Sequence, residues 1–221
     1  MNSATYCGAD GVLRCAWAEG DESYTGYHDL EWARPGAMTD AALFERLTLE
    51  SFQSGLSWRT ILTKRDGFRH AFANFVVPSI AAFDEPEIIT LLADSGIVRH
   101  RGKIEATINN AQRALDLATV HGGLAAYLRD FCDLQPAHSP DRHSASALSK
   151  DLRRRGWRFV GPTTVYAFLQ AVGLVNDHAP ECEFRAPSES ARLLWLENQP
   201  THRSSAHRSV TPQLPSSTPN L

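Results

Sequence analysis

Apolar residues in this chain recur at helical spacing, and the strict alternation that marks a half-buried strand is nearly absent. Thr39 can N-cap a helix whose face carries Leu43, Phe44, Leu47 and Phe52, and Ser57 can cap the next one, through Ile61 and Leu62. Asp84-Glu85-Pro86-Glu87 puts acids and a proline where a first helical turn accepts them. Ile88, Ile89, Leu91 and Leu92 continue that helix, and Gly96 stops it. A long helix is expected from about Arg101 to Val120, closed by Gly122-Gly123. Further helices are expected over Leu124 to Phe131, over Ser146 to Arg155 ending at Gly156, and from Pro162 to near Gly173. The fold class is all-α.

Of 221 residues, 43% are hydrophobic and 21% charged, enough to bury a core in one domain. No internal repeat is present. No apolar run reaches the roughly 18 residues of a membrane span, so no membrane partner is expected. The N-terminus lacks a basic stretch followed by an apolar one, so a cytoplasmic location is expected, with four sparse, reduced cysteines. Residues 1–12 read as a short flexible extension and 13–185 as the folded domain. The tail, 186–221, holds five of the twelve prolines and many serines. Only Leu193 to Leu196 is apolar there, and the tail is expected to be mostly disordered.

The net charge of −3 hides an asymmetry. Residues 1–50 carry nine acids against three bases, whereas 146–160 carry five bases against Asp151 alone. Arg99, Arg101 and Lys103 add a second basic cluster. Such patches can bind phosphates whatever the overall charge, although Lys150 to Arg158 also suits a solvated helix end. The stretch from Asp94 to Ile104, between two expected helices, has the layout of a helix–hairpin–helix. That motif offers backbone N–H groups to a DNA phosphate. Its two glycines, Gly96 and Gly102, are six apart, so an ordinary turn between helices remains open at this point.

His178 and Cys182 are four apart and would share one face of a helical turn. Cys15 and His28 lie near the other end of the chain. Together they would make a Cys2His2 shell, closed and therefore structural, joining the first and last folded segments. By spacing alone, unrelated core cysteines and surface histidines remain open too, because 149 residues separate His28 from His178. Cys7 and Cys132 have no comparable partner and read as non-ligands. The H-E-x-x-H and G-x-S-x-G motifs and the nucleotide-loop, dinucleotide-binding and zinc-deaminase signatures are absent.

Trp17, Tyr24, Tyr27, Trp32 and Trp58 crowd into 42 residues, with Glu50 on a largely apolar helix among them. Aromatic faces stack on planar rings, more strongly on cationic ones, and a carboxylate can read ring N–H donors. Such a cage suits a flipped, alkylated purine. Taken alone, the same residues could be core, with Glu50 on the surface.

The ordered runs that remain settle on one family. They are Arg14 to Trp17, Tyr24 to Trp32, Leu49-Glu50, Gly55 to Trp58, Ser95 to Ile104, Arg155 to Thr164 and Gly173 to His178. In these the chain resembles the DNA-3-methyladenine glycosylase I family, bacterial repair enzymes of the helix–hairpin–helix superfamily, over about residues 13–185. The resemblance implies the helix–hairpin–helix glycosylase fold, with one structural zinc held by Cys15, His28, His178 and Cys182. It implies that Glu50 is the catalytic pocket carboxylate that reads the base. Tyr27 and Trp58 would stack on that base, and Trp17, Tyr24 and Trp32 would line the pocket. Gly55 and Leu56 would lie beside the gap left by the flipped base, and Arg99, Arg101, Gly102 and Lys103 would contact DNA. The chain departs from the family pattern in having only Gln53 after Glu50, where a second glutamine is common, and only Cys182 after His178.

The reaction implied is hydrolysis of the N-glycosidic bond of 3-methyladenine in double-stranded DNA, by a monomer that releases the free base and leaves an abasic site. Two alternatives are a bifunctional enzyme that nicks the strand through a Schiff base on Lys103, and a zinc-stapled DNA-binding module without catalysis.

Overall fold

A computed structural model of the chain describes residues 4–133 and 141–198. Strands β1 (Thr5–Cys7) and β2 (Leu13–Cys15) pair antiparallel, with Tyr6 opposite Arg14. Eleven α-helices follow among the described residues: α1 (Glu22–Leu30), α2 (Asp40–Gln53), α3 (Trp58–Thr63), α4 (Arg65–Ala71), α5 (Val77–Ala81), α6 (Glu85–Ala93), α7 (Arg101–His121), α8 (Leu124–Asp133), α9 (Arg142–Arg154), α10 (Pro162–Ala171) and α11 (Arg185–Glu197). The fold is therefore mostly helical, with one small hairpin. No helix among the described residues is long and apolar enough to cross a membrane.

Local chemistry sets the helix ends. The Thr39 hydroxyl accepts from the Ala42 N–H and opens α2, and the Ser57 hydroxyl accepts from Thr60 N–H and opens α3. Gly122 ends α7 in the left-handed conformation, at φ 82°. α2 is the central helix. It packs against α3, α7, α8 and α10, and every residue from Leu47 to Phe52 is buried. The last turns of α2 thus have no solvent face, and any polar side chain there is carried into the interior. Phe52 meets Phe68 and Phe72 of the α4 region, ring centroids 4.7 and 6.0 Å away.

Several expectations shift. α6 stops at Ala93, two residues before Ser95, because Asp94 turns outward and its carboxylate accepts from Gly96 N–H. α9 starts at Arg142 rather than Ser146, because Asp141 caps it by accepting from Ser144 N–H. The expected loose extension contains β1, held by its ladder to β2. The tail begins with α11, which buries Ser188 and Arg192 and packs Trp195 against the core. Burial of these residues outweighs a composition rich in proline and serine. Residues 199–221 lie outside the described residues.

α11 also touches the interior chemically, since the Ser188 hydroxyl lies 3.3 Å from His178 Nε2. A chain ending at Ala186 should melt at least about 5 °C below a chain ending at Asn198, the equivalent of roughly 2 kcal/mol in a domain this size. Equal melting temperatures would show that α11 contributes nothing to the fold.

Candidate active site and metal centre

The end of α2, the α1 region, α3 and α10 enclose a cavity of about 370 Å³. Glu50 lines it, with Trp17, Tyr24, Tyr27, Trp32 and Trp58, so all six residues expected in the pocket meet in one place. The volume suits a small planar ligand. Tyr27 and Trp58 are buried, with ring centroids 5.1 Å apart. Trp17 stands edge-on to both Tyr24 and Trp32, at 5.6 and 4.9 Å. Gln53 lines the cavity one turn after Glu50, and Ala167, Gln170 and Asp177 complete it. The Asp177 carboxylate accepts from Tyr166 O–H (2.5 Å) and Gln170 Nε2 (2.8 Å). Sequence reasoning missed Gln170 and Asp177. The one available signal was that Asp177 directly precedes His178.

Glu50 is 6% exposed. Burial pushes its carboxyl up from the ordinary 4.5 to about 8, against the opposing field of Arg46. Arg46 does not pair with it. The Arg46 guanidinium donates to Glu31 Oε2 at 2.6 Å, and Arg65 donates to both oxygens of Glu31, at 2.7 and 3.0 Å. Glu31 thus holds Arg46 one turn away from Glu50. Near neutral pH the buried group is mostly the neutral acid.

Behind the aromatic wall lies a second cluster. Cys15, His28, His178 and Cys182 are all buried, and their ligand atoms lie within 4.8 Å of one another. His178 Nδ1 is 3.6 Å from Cys15 Sγ and 3.4 Å from Cys182 Sγ, and His28 Nε2 is 3.6 Å from Cys182 Sγ. Sulfur and nitrogen ligands on one tetrahedral ion stand about 3.5 Å apart, so the set fits a bound metal. The outer nitrogens are held as ligating imidazoles require: His28 Nδ1 meets Asp29 Oδ1 at 2.7 Å, and His178 Nε2 meets Ser188. Arg14 fixes Asp29 in turn, through Nε and Nη2. The His28 and His178 rings also pack on the pocket wall. Trp17 lies 5.3 Å from His28, and Trp32 lies 4.7 Å from His178. Cys7 is exposed and not part of this cluster; the Cys132 side chain lies outside the described residues.

The residues expected to touch DNA divide. Gly55 takes φ 81° at the turn after α2, and Leu56 beside it is 42% exposed. Arg99 is exposed on the segment between α6 and α7. Arg101 is exposed but already paired with Glu85 (2.8 Å) and Glu105 (3.3 Å), which offsets its charge. Gly102 lies half-buried beneath the His100 ring, so it offers little surface. Lys103 contradicts the expectation outright. It is 7% exposed, and its Nζ points inward to two main-chain carbonyls. Desolvation lowers its ammonium below the ordinary lysine range. A side chain so engaged reaches no phosphate. Nor does it line the cavity, which also removes the Schiff-base role considered for it.

Comparison with known proteins agrees with this geometry. A family model described as methyladenine glycosylase matches residues 17–186. The chain is 43% identical over 179 residues to DNA-3-methyladenine glycosylase 1 of Escherichia coli (strain K12), covering 76% of this chain and 95% of that protein. It is 38% identical to DNA-3-methyladenine glycosylase of Haemophilus influenzae, covering 77% and 97%. Among solved structures, 3-methyladenine DNA glycosylase I from Staphylococcus aureus, determined for its recognition of 3-methyladenine, superposes with a TM-score of 0.71 at 35% identity, over 78% and 96% of the two chains. The chain belongs to the methyladenine glycosylase family.

Proposed function

We infer that this protein is a DNA repair glycosylase that hydrolyses the N-glycosidic bond of 3-methyladenine, and that Glu50 and its aromatic cage read the flipped base. One observation carries the reading most directly: a buried carboxyl sits in an aromatic cavity on the central helix of a methyladenine glycosylase.

Methylation at N3 makes the attached purine a cation and a good leaving group. The bond to the sugar carbon breaks with its electron pair staying on the purine, which leaves neutral. Water adds to the sugar carbon and gives up a proton, leaving an abasic site. Extruding the nucleotide costs a few kcal/mol of stacking and pairing. The pocket must then reject neutral, abundant adenine. An acid held neutral by burial does this in a specific way. A cationic ring replaces the missing solvation and lets Glu50 ionise against it, whereas adenine supplies no charge and leaves the buried acid as it was. Tyr27 and Trp58 would stack on the ring. Release of free 3-methyladenine from methylated duplex DNA tests the reading; a protein that binds such DNA and releases no base is the non-catalytic module instead.

Zinc is the metal we assign to the buried cluster. Two thiolates and two imidazoles in a closed shell suit it, and the ion would staple the strand β2 and α1 to the 178–182 turn. Purified protein should hold about one zinc per chain. His178→Ala should lose the metal and melt lower, because the folding energy of such a site resides in the bound ion. Metal-free protein of unchanged stability would remove the assignment.

Glu50→Gln separates chemistry from stability. A hydrogen bond to a charged group contributes about 1.5–3 kcal/mol, so base release should fall roughly 10- to 150-fold while the fold persists. The empty variant should also be more stable than the native protein. Because the folded protein holds this acid neutral, its contribution is fully present below the ordinary 4.5 and is lost as pH rises toward about 8. The stability gap in favour of Glu50→Gln should therefore widen between about pH 5 and pH 8, by up to about 1.4 kcal/mol per unit, and then level. Affinity of the native protein for methylated DNA should rise over the same window and stay flat in the variant. Two parallel pH profiles would mean that Glu50 does not titrate with binding.

A further inference from the structure

Lys103 is the third residue of α7, and its burial calls for an account now that neither phosphate nor Schiff base provides one. Its Nζ donates to the carbonyls of Phe52 (2.9 Å) and Ser54 (2.6 Å). These lie at the C-terminal end of α2, where carbonyls lack partners within the helix and the helix dipole favours a cation. The Lys103 main chain is fixed as well. His100, the N-cap of α7, accepts from the Lys103 N–H, and Thr107 Oγ1 donates to the Lys103 carbonyl at 3.0 Å.

The two ends of this link lie in different parts of the site. Beyond Ser54 the chain turns at Gly55, and the Leu56 N–H closes the turn on the Gln53 carbonyl at 2.7 Å. Leu56 is left exposed, in the chain between Gln53 and Trp58, which both line the cavity. On the other side, the segment 94–100 is itself bound to the α3–α4 region. Lys64 Nζ donates to the Ser95 carbonyl at 2.6 Å, and Gly67 meets Gly96 so closely that a Cβ there would stand 2.4 Å from the Gly96 oxygen. Lys103 is thus a bridge between a braced segment and a turn whose other main-chain tie is a longer one, Ser54 N–H to the Ser51 carbonyl at 3.4 Å.

We propose that Lys103 is a positioning residue that ties the 54–56 turn to the start of α7, so that Leu56 meets the duplex at a fixed place while Glu50 faces the base. The proposal rests on the glycosylase reading above. Glu50 lies two residues before the first tethered carbonyl, in the stretch 47–52 that packing alone already buries, so loss of the tether should act mainly on the turn beyond it.

The test uses the full chain with its metal. In Lys103→Met the apolar stem remains and the ammonium is lost. Affinity for free 3-methyladenine should stay within about twofold. Single-turnover release of base from methylated duplex DNA should fall at least tenfold, and amide exchange at residues 54–56 should quicken. In a Leu56→Ala background the same substitution should cost little more, because both act through one turn. Equal losses of free-base affinity and duplex rate, or additive effects of the two substitutions, would overturn the proposal. If Lys103→Met does not fold, Lys103→Arg, which keeps the cation but is longer and planar, is judged by the same readouts. A native protein that releases no base defeats the glycosylase reading, whereas unchanged amide exchange at 54–56 defeats the tether itself.

Discussion

The closure between the two ends of the folded chain is the constraint from which the rest of the site follows. Cys15 and His28 come from the β2–α1 region, and His178 and Cys182 from the turn before α11. Bringing them together closes a loop of most of the chain, an entropic cost that grows only slowly with length. The return is large because the cluster is also the back of the pocket. Trp17 and Trp32 pack directly on His28 and His178, so the aromatic wall takes its position from the Cys/His cluster. Arg14, Asp29 and Ser188 then fix the outer nitrogens, and these reach from β2 to α11. The pocket is therefore supported by both termini of the domain rather than by the central helix alone.

Against that support, α2 brings in an acid whose charged form burial disfavours. Residues 47–52 around Glu50 are all buried, and Arg46, whose field reaches it, is paired with Glu31. Pairing Glu50 with Arg46 would stabilise a charge in the empty pocket and would leave a cationic ligand nothing to neutralise. With Arg46 paired to Glu31, the acid has no ion-pair partner, which suits the cationic base proposed for this pocket. Selectivity of this kind depends on a local deficit that ligand binding corrects, a pattern common to buried titratable groups at functional sites.

Local features were legible in the sequence because their chemistry is local. The hydroxyls of Thr39 and Ser57 cap the helices expected of them, and Gly122 ends α7 where its backbone freedom was needed. The pocket residues were legible as a crowd of aromatics around an acid, and the cavity collects all of them. What was not legible depended on packing. α1 contains Gly26 and several residues of modest helix propensity, and it is helical because Tyr27 and His28 are buried. α11 looked disordered by composition, yet Ser188, Arg192 and Trp195 find partners in the domain. Lys103 shows the limit most clearly. Its place in a basic run suggested phosphate, but the direction of a side chain is set by what waits at its far end, here the carbonyls of Phe52 and Ser54 where α2 ends.

The serine that follows Glu50 has a wider mechanical meaning. Ser51 Oγ donates to the Leu47 carbonyl within α2 and also lies 3.0 Å from the carbonyl of Phe159, a residue held at φ 54° between α9 and α10. With the link from Lys103, the end of α2 is sewn to neighbours on two sides, and the cavity has no hinge of its own at that end. In a receptacle this stiff, the distortion needed to extrude a nucleotide falls on the nucleic acid. The enzyme's preferences should then carry the imprint of duplex elasticity. Lesions at pyrimidine–purine steps, which kink and unstack most readily, would be reached at lower cost than the same lesion inside a stiff A-tract.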